Sequence, residues 1–288
     1  MTQFKTIGIL AKHGDNQIEA TLLTLYDFLL KQNLQVLVDE NAAQFLDIPA
    51  SKNDQLAQSI DLAIVIGGDG TLLGAGRLLA SFDVPIVGVN LGRLGFLVDV
   101  SPDEMTTLLG QVLAGTYTNE SRFLLTADVF RGDEKICAGD AVNDIVLHVR
   151  NEIRMIEFTT HINNTFVNTQ RADGIVISTP TGSTAYSLSG GGPILHPELE
   201  AIVLVPICPH TLNNRPIVVN SKDTIEISLC KQRNTGARVS FDGQSNINLE
   251  PGDRIVIRRK SHCLSLLHPK SYDYYHILRA KLRWSVQP

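Results

Sequence analysis

Leu62-Ala63-Ile64-Val65-Ile66-Gly67-Gly68-Asp69-Gly70-Thr71 is the stretch that decides the fold. An unbroken apolar run ending in glycine reads as a strand buried on both faces, and helical periodicity resumes from about Leu72. A buried strand that passes through glycines into a helix is the repeating unit of a parallel α/β sheet. The neighbouring sequence carries the same alternation. Ile7-Gly8-Ile9-Leu10-Ala11, residues 34–38 and residues 85–89 read as further strands, while Ile18, Leu22, Leu25, Tyr26, Leu29 and Leu30 recur at helical spacing. Ser101-Pro102-Asp103-Glu104 predicts a helix start, with Ser101 as cap, Pro102 in the first turn and Glu104 completing a capping box. Met105, Leu108, Leu109, Val112 and Leu113 form the apolar face of that helix.

The pattern changes near residue 115. From about Arg122 the chain runs strand after strand, rich in Thr, Val, Ile and Phe, with turn pairs at Gly132-Asp133, Asn163-Asn164, Asn213-Asn214 and Pro251-Gly252. The expected architecture is a Rossmann-like α/β domain with a parallel sheet over residues 1–115. An all-β, sandwich-like domain follows over residues 116–269. Residues 270–288 carry Tyr275, Leu278 and Leu282 at helical spacing and are expected to return as a helix to the first domain.

Composition narrows the functional classes. The 288 residues carry a net charge of −5, so no overall basic field points to nucleic acid. No run of 18 apolar residues predicts a membrane span, and the first ten residues do not read as a signal peptide. Cys137, Cys208, Cys230 and Cys263 are widely spaced and form no C-x-x-C, which predicts reduced thiols and a cytoplasmic protein.

Several segments carry candidate chemistry. Gly67, Gly68 and Thr71 surround Asp69 at the expected carboxyl end of a strand, where open α/β sheets bind ligands. Glycines let a main chain approach a phosphate, the following helix offers free N–H groups, and Asp69 supplies a carboxylate. No G-K-S/T follows, so this is not a Walker loop. Thr179-Pro180-Thr181-Gly182-Ser183-Thr184-Ala185-Tyr186-Ser187-Leu188-Ser189-Gly190-Gly191-Gly192-Pro193 is the most unusual stretch. Its hydroxyls and N–H groups can face an anion or a ribose, and Tyr186 can stack on a base. A flexible Gly/Ser loop is the plainer reading, opposed by Ala185, Tyr186 and Leu188. Asn143-Asp144 suits ribose hydroxyls but alone reads as a turn. Arg171-Ala172-Asp173-Gly174 suits phosphate and ribose, or a local surface ion pair. Phe241-Asp242-Gly243-Gln244 reads first as a hairpin turn.

Taken in this order, G-G-D-G-T, the Asn143-Asp144 pair, T-P-T-G-S-T-A-Y-S and F-D-G-Q resemble the NAD kinase family over roughly residues 60–245. The resemblance implies transfer of a phosphoryl group from ATP, or another donor, to the adenosine ribose 2′-hydroxyl of NAD. It implies Asp69 as the proton acceptor and Gly70 beside it. Asn143, Asp144, Arg154, Arg171, Asp173, Thr184, Ala185, Tyr186, Ser187, Leu188, Ser189 and Gln244 are implied in the dinucleotide pocket, with Phe96 as a pocket wall. The family usually has Glu where this chain has Asp144. The resemblance also implies a homodimer or homotetramer. No all-protein metal cage is evident, so a divalent ion, Mg²⁺, is expected to arrive with the nucleotide. Two other readings stay open: a lipid or sugar kinase sharing G-G-D-G-T, and a non-catalytic dinucleotide sensor.

Overall fold

The computed structural model describes residues 4–14, 18–92, 95–150, 155–231 and 236–284. Its chain divides into two compact units, Met1–Ser121 with Cys263–Pro288, and Arg122–His262.

The first unit is built on parallel strands β1 (Thr6–Ala11), β2 (Gln35–Val38), β3 (Leu62–Gly67) and β4 (Ile86–Asn90), in spatial order β2-β1-β3-β4. These are the strands read from the sequence. β3 is buried at every position, as a central parallel strand covered on both faces must be. The last residues of strand β16 (Arg254–His268) add to the β4 edge, with Leu266 beside Ile86. The chain leaves β1 for β2 on one side and returns for β3 on the other, so the topological switch point lies between β1 and β3. Helices α1 (Glu19–Lys31), α2 (Glu40–Leu46), α3 (Asn53–Ser59), α4 (Asp69–Leu79) and α5 (Met105–Leu113) complete the unit. Leu22, Leu25 and Leu29 of α1 pack with Ile7, Ile9, Ile64 and Met105 in one apolar core.

Three local expectations need correction here. Helix α4 begins at Asp69, not Leu72, because Gly68 adopts an extended conformation as its N-cap and its carbonyl accepts from the N–H groups of Thr71 and Leu72. Asp69 therefore stands in the first turn, where the helix dipole favours a carboxylate. The expected capping box does not form. Residues 102–104 make a turn, α5 starts at Met105, and Ser101 Oγ donates to the Glu104 carboxylate at 3.0 Å instead of accepting a helix N–H. In the C-terminal helix α7 (Tyr274–Leu282), Ile277 and Leu278 are buried and Tyr275 is exposed. The Asp273 side chain caps α7 by accepting from the N–H groups of Tyr275 and His276.

The second unit is β-rich. Six antiparallel strands run in the order β12 (Ile217–Asn220), β11 (Ala201–Ile207), β10 (Gly174–Ser178), β7 (Asp144–Val149), β14 (Ala237–Phe241), β15 (Ser245–Leu249). A second set joins the first part of β16 to β13 (Ile225–Leu229), then β8 (Ile156–Ile162) and β9 (Thr165–Ala172). β5 (Thr118–Arg131) and β6 (Glu134–Ala141) form a hairpin. Gly139 of β6 lies against the Phe241 ring of β14, where a Cβ would come within 2.7 Å of ring carbons. Asn163 and Asn164 take φ values of 50° and 63°, as a two-residue hairpin turn between β8 and β9 requires. Asp242 and Gly243, at 51° and 66°, do the same between β14 and β15. Among the described residues no helix is long and apolar enough to cross a membrane.

Leu25 is fully buried beneath the parallel sheet. Leu25→Ala is expected to lower unfolding stability by about 2–5 kcal/mol. Chemical denaturation monitored by circular dichroism measures this.

Candidate active site

In the first unit, Asp69 is held at both carboxylate oxygens. Its Oδ2 accepts from the Phe96 N–H at 2.9 Å and its Oδ1 from the Leu97 N–H at 3.0 Å. The two N–H groups come from the turn that follows β4, closed by a Gly95 N–H to Val98 carbonyl bond. A Cβ at Gly95 would stand 2.2 Å from Asp69 Oδ1, so only glycine allows this approach. Each carboxylate oxygen carries a further lone pair, so Asp69 keeps the capacity to accept a hydroxyl proton. Gly67 packs its bare Cα against Thr71, where a Cβ would be 2.4 Å from Thr71 Oγ1. Gly68 has open space where a side chain would stand, and Gly70 is exposed. Phe96 lies below Lys281, whose ammonium nitrogen is 5.6 Å from the ring centroid.

At the β1/β3 switch point is a cleft of about 310 Å³ lined by Ala11, Asp39, Asn41, Thr71, Gly74 and Ala75 among others. Asp39 was not among the sequence candidates. It caps α2 through the Ala42 N–H and also accepts from the Ala11 N–H. Burial raises its pKa against those hydrogen bonds.

In the second unit, a cavity of about 300 Å³ is lined by Asn143, Asp144, Ala185, Tyr186, His148 and Asp242, with Val146, Ser240 and Gly243 completing the wall. Asp242 organises it. Its carboxylate accepts from the N–H groups of Val142, Asn143 and Asp144 at 3.1, 2.7 and 3.3 Å. The Phe241-Asp242-Gly243-Gln244 turn is therefore both a hairpin tip and the anchor of the Asn143-Asp144 pair. Asp144 is 4% exposed. Burial, then the charge of Asp242, pushes its pKa up to about 7. His148 is pulled the other way, by burial and then by Arg238, whose Nε donates to His148 Nε2 at 3.0 Å.

The Thr179–Pro193 stretch is no flexible loop. A 3-10 turn over Thr181–Thr184 leads into the short helix α6 (Tyr186–Ser189). Ser178, Thr179, Ser183 and Ser187 are fully buried. Thr179 Oγ1 donates to the Val142 carbonyl at 2.7 Å and accepts from the Gly182 N–H at 3.1 Å. The Thr179 N–H donates to the Asn143 carbonyl at 2.9 Å. Gly182 packs against that carbonyl, where a Cβ would come within 2.2 Å of the oxygen. The segment is thus bonded to the back of the Asn143-Asp144 pair.

The remaining candidates fall elsewhere. The Thr184 hydroxyl is directed to the Thr181 carbonyl at 3.3 Å, and Ser187 Oγ is buried against Gly192. Leu188 and Ser189 of α6 lie outside the cavity wall. Gln244 is exposed in the hairpin turn. Arg171 lies on β9 opposite Glu157, with 3.9 Å between their charged atoms, which is the local ion pair that the sequence also allowed. The main chain of Asp173 joins Ile207 and Val149. Arg154 lies outside the described residues. Among the described residues no group of three or more His, Cys, Asp or Glu side chains could hold a metal ion. The four cysteines are free thiols.

Both halves of this arrangement match one family. Residues 7–117 match the ATP-NAD kinase N-terminal domain and residues 142–268 the ATP-NAD kinase C-terminal domain. The chain belongs to the NAD kinase family. It is 48% identical over 288 residues to an NAD kinase of Hahella chejuensis, covering 99% of this chain and 97% of that one. It is 47% identical over 287 residues to an NAD kinase of Azotobacter vinelandii, with 99% and 97% covered. Among solved structures, a yeast NADH kinase complexed with NADH superposes with a TM-score of 0.90 at 24% identity, covering 99% of this chain and 89% of that one. An NAD kinase from Archaeoglobus fulgidus in complex with ATP superposes with a TM-score of 0.77 at 25% identity, with 96% and 98% covered.

The raised pKa of Asp144 fixes the sign of a pH effect. The folded chain holds a proton on Asp144 that the unfolded chain releases near the ordinary aspartate value of 3.8, so its contribution to stability is full below that value. It is lost as pH rises through about 7. Asp144→Asn, which mimics the protonated acid, is expected to flatten the fall in thermal midpoint between about pH 4 and 7. Calorimetric midpoints of both proteins across that range check this.

Proposed function

We infer that the chain is an NAD kinase that transfers the terminal phosphoryl group of ATP to the 2′-hydroxyl of the adenosine ribose of NAD, with Asp69 as the proton acceptor. The observation that carries the role of Asp69 is its carboxylate, fixed by the Phe96 and Leu97 N–H groups in the first turn of α4, beside the glycines of G-G-D-G-T.

A secondary alcohol is a poor nucleophile at neutral pH. As the O2′–H bond breaks, Asp69 takes the proton. The O2′–phosphorus bond forms, the bond from that phosphorus to the bridging oxygen breaks, and ADP leaves. A positioned base contributes about 10²–10⁴-fold to such a step, and holding the alcohol in line with phosphorus contributes further. Two backbone donors matter here because they stop the carboxylate from rotating away, so its free lone pairs keep one direction. The donor phosphates are suited by the open main chain at Gly68 and by the positive end of the α4 dipole. Mg²⁺ enters as part of the nucleotide substrate and neutralises phosphate charge.

The dinucleotide is proposed to lie against the Asn143-Asp144 cavity. Tyr186, 48% exposed, offers a ring face to a base. The Asn143 amide and the Asp144 carboxyl offer donors and acceptors to a ribose or a purine edge. With a pKa of about 7, Asp144 can supply either an acceptor or an O–H donor near neutrality. A homodimer or homotetramer in the cytoplasm is proposed as the working form. Leu212, Val218 and Phe166 of the second unit are apolar side chains left exposed, available for such an association.

Asp69→Asn is expected to bind NAD within about threefold of wild type and to lose more than nine-tenths of turnover. Calorimetry with NAD and a coupled assay for NADP measure the two quantities. More than a tenth of the wild-type rate would remove Asp69 as the base. Asp144→Ala is expected to weaken NAD binding by about tenfold while leaving the ATP Michaelis constant unchanged, and the same titration reads this.

A further inference from the structure

His268 is the last residue of β16 and is 1% exposed. The reaction described above does not use it, yet it sits between two carboxylates. Its Nδ1 is 3.0 Å from Asp99 Oδ2 and its Nε2 is 3.2 Å from Glu120 Oε2. Its ring stacks on Tyr272, with centroids 3.9 Å apart and planes 15° from parallel. Asp99 is nearly buried too, with a side chain 10% exposed, and its Oδ1 has no hydrogen-bond partner. A buried carboxylate in that state depends on its cation.

Asp99 is two residues beyond Leu97 and three beyond Phe96, the residues whose N–H groups hold Asp69. The turn is tied at one end by the Gly95 N–H to Val98 carbonyl bond. Beyond Asp99, the Val100 N–H donates to the Gly88 carbonyl and the Asn90 N–H to the Val100 carbonyl. Asp99 is the acidic side chain of the described turn over residues 95–99, and the imidazole of His268 is the cation it meets.

We propose that His268 is a positioning residue for phosphoryl transfer: through Asp99 it clamps the turn whose Phe96 and Leu97 N–H groups orient the Asp69 carboxylate. This rests on the reading of Asp69 as the base. Two bonds at Asp69 set the direction of its free lone pairs, and a small shift in the turn misdirects them. Such a shift reduces the rate of the chemical step without removing any group that touches NAD.

The clamp depends on charge. Burial opposes protonation of His268, but the Asp99 hydrogen bond and the charges of Asp99 and Glu120 outweigh it and hold the pKa above the usual histidine value. Asp99 faces the ring from the 95–99 turn, Glu120 from β5, and the Tyr272 phenol ring from the segment before α7. The stabilisation is full below the ordinary histidine pKa. It is lost as pH rises through the raised one, leaving two largely buried carboxylates beside a neutral ring.

The experiment uses the full chain with NAD and MgATP. His268→Gln and Asp99→Asn are each expected to lower kcat by about tenfold or more with the Michaelis constant for NAD within about twofold of wild type. The wild-type kcat is expected to fall on the alkaline side as His268 loses its proton. That limb should move to lower pH in Glu120→Gln and vanish in His268→Gln. A His268→Gln protein whose melting temperature drops while kcat stays within twofold of wild type would overturn the proposal. If that variant does not fold, the Glu120→Gln profile decides: an unmoved alkaline limb overturns the clamp. Asp69→Asn is run alongside. If it also keeps its turnover, the base assignment falls; if it loses turnover and His268→Gln does not, the clamp alone falls.

Discussion

A carboxylate at the first turn of α4 has a favourable position but no fixed direction. The two hydrogen bonds from Phe96 and Leu97 supply the direction. They require a main chain to pass within reach of Asp69, which requires Gly95 to have no side chain. They also require the turn after β4 to sit firmly beside β3. The paired registers of β3 with β4 and the fully buried Val98 and Val100 provide that. The helix start, the glycines, the turn and the parallel sheet all act on one functional group.

A similar division of labour holds in the second unit. Asp242 gathers three consecutive N–H groups, and Thr179 binds the carbonyls on the same segment. The Asn143-Asp144 pair is held from both sides by side chains far away in sequence. The cost is electrostatic: burial, and then the negative charge of Asp242 beside it, make Asp144 keep its proton to near neutrality.

Much of this was legible in the residues. Parallel buried strands declare themselves by unbroken apolar runs, and residues 62–66 and 7–11 have few other readings. The two-residue turns at Asn163-Asn164 and Asp242-Gly243 follow from which residues tolerate positive φ. The placement of Asp69 between glycines at the end of a buried strand was legible as well. What stayed hidden depends on contacts across long sequence separations. Asp242 reads as an ordinary Asp-Gly turn until residues 142–144 come beside it, about 100 positions away. The hydroxyls of Thr179 and Ser183 look like ligand donors, yet buried hydroxyls must find partners and these find backbone carbonyls. The start of α4 was misplaced because Gly68 caps it by backbone conformation alone, without a capping side chain. Ser101 misled for the opposite reason: its side chain found the Glu104 carboxylate before any helix N–H.

The central claim is that the fixed direction of the Asp69 carboxylate, and not its charge alone, makes the site competent. Gly95→Ala tests this most directly, since it keeps every ionisable group and places a methyl 2.2 Å from Asp69 Oδ1. The measurement is single-turnover formation of NADP from bound NAD and MgATP, alongside NAD affinity by calorimetry. The account predicts a rate lower by about tenfold or more with affinity within about threefold. A variant that turns over at the wild-type rate would contradict it.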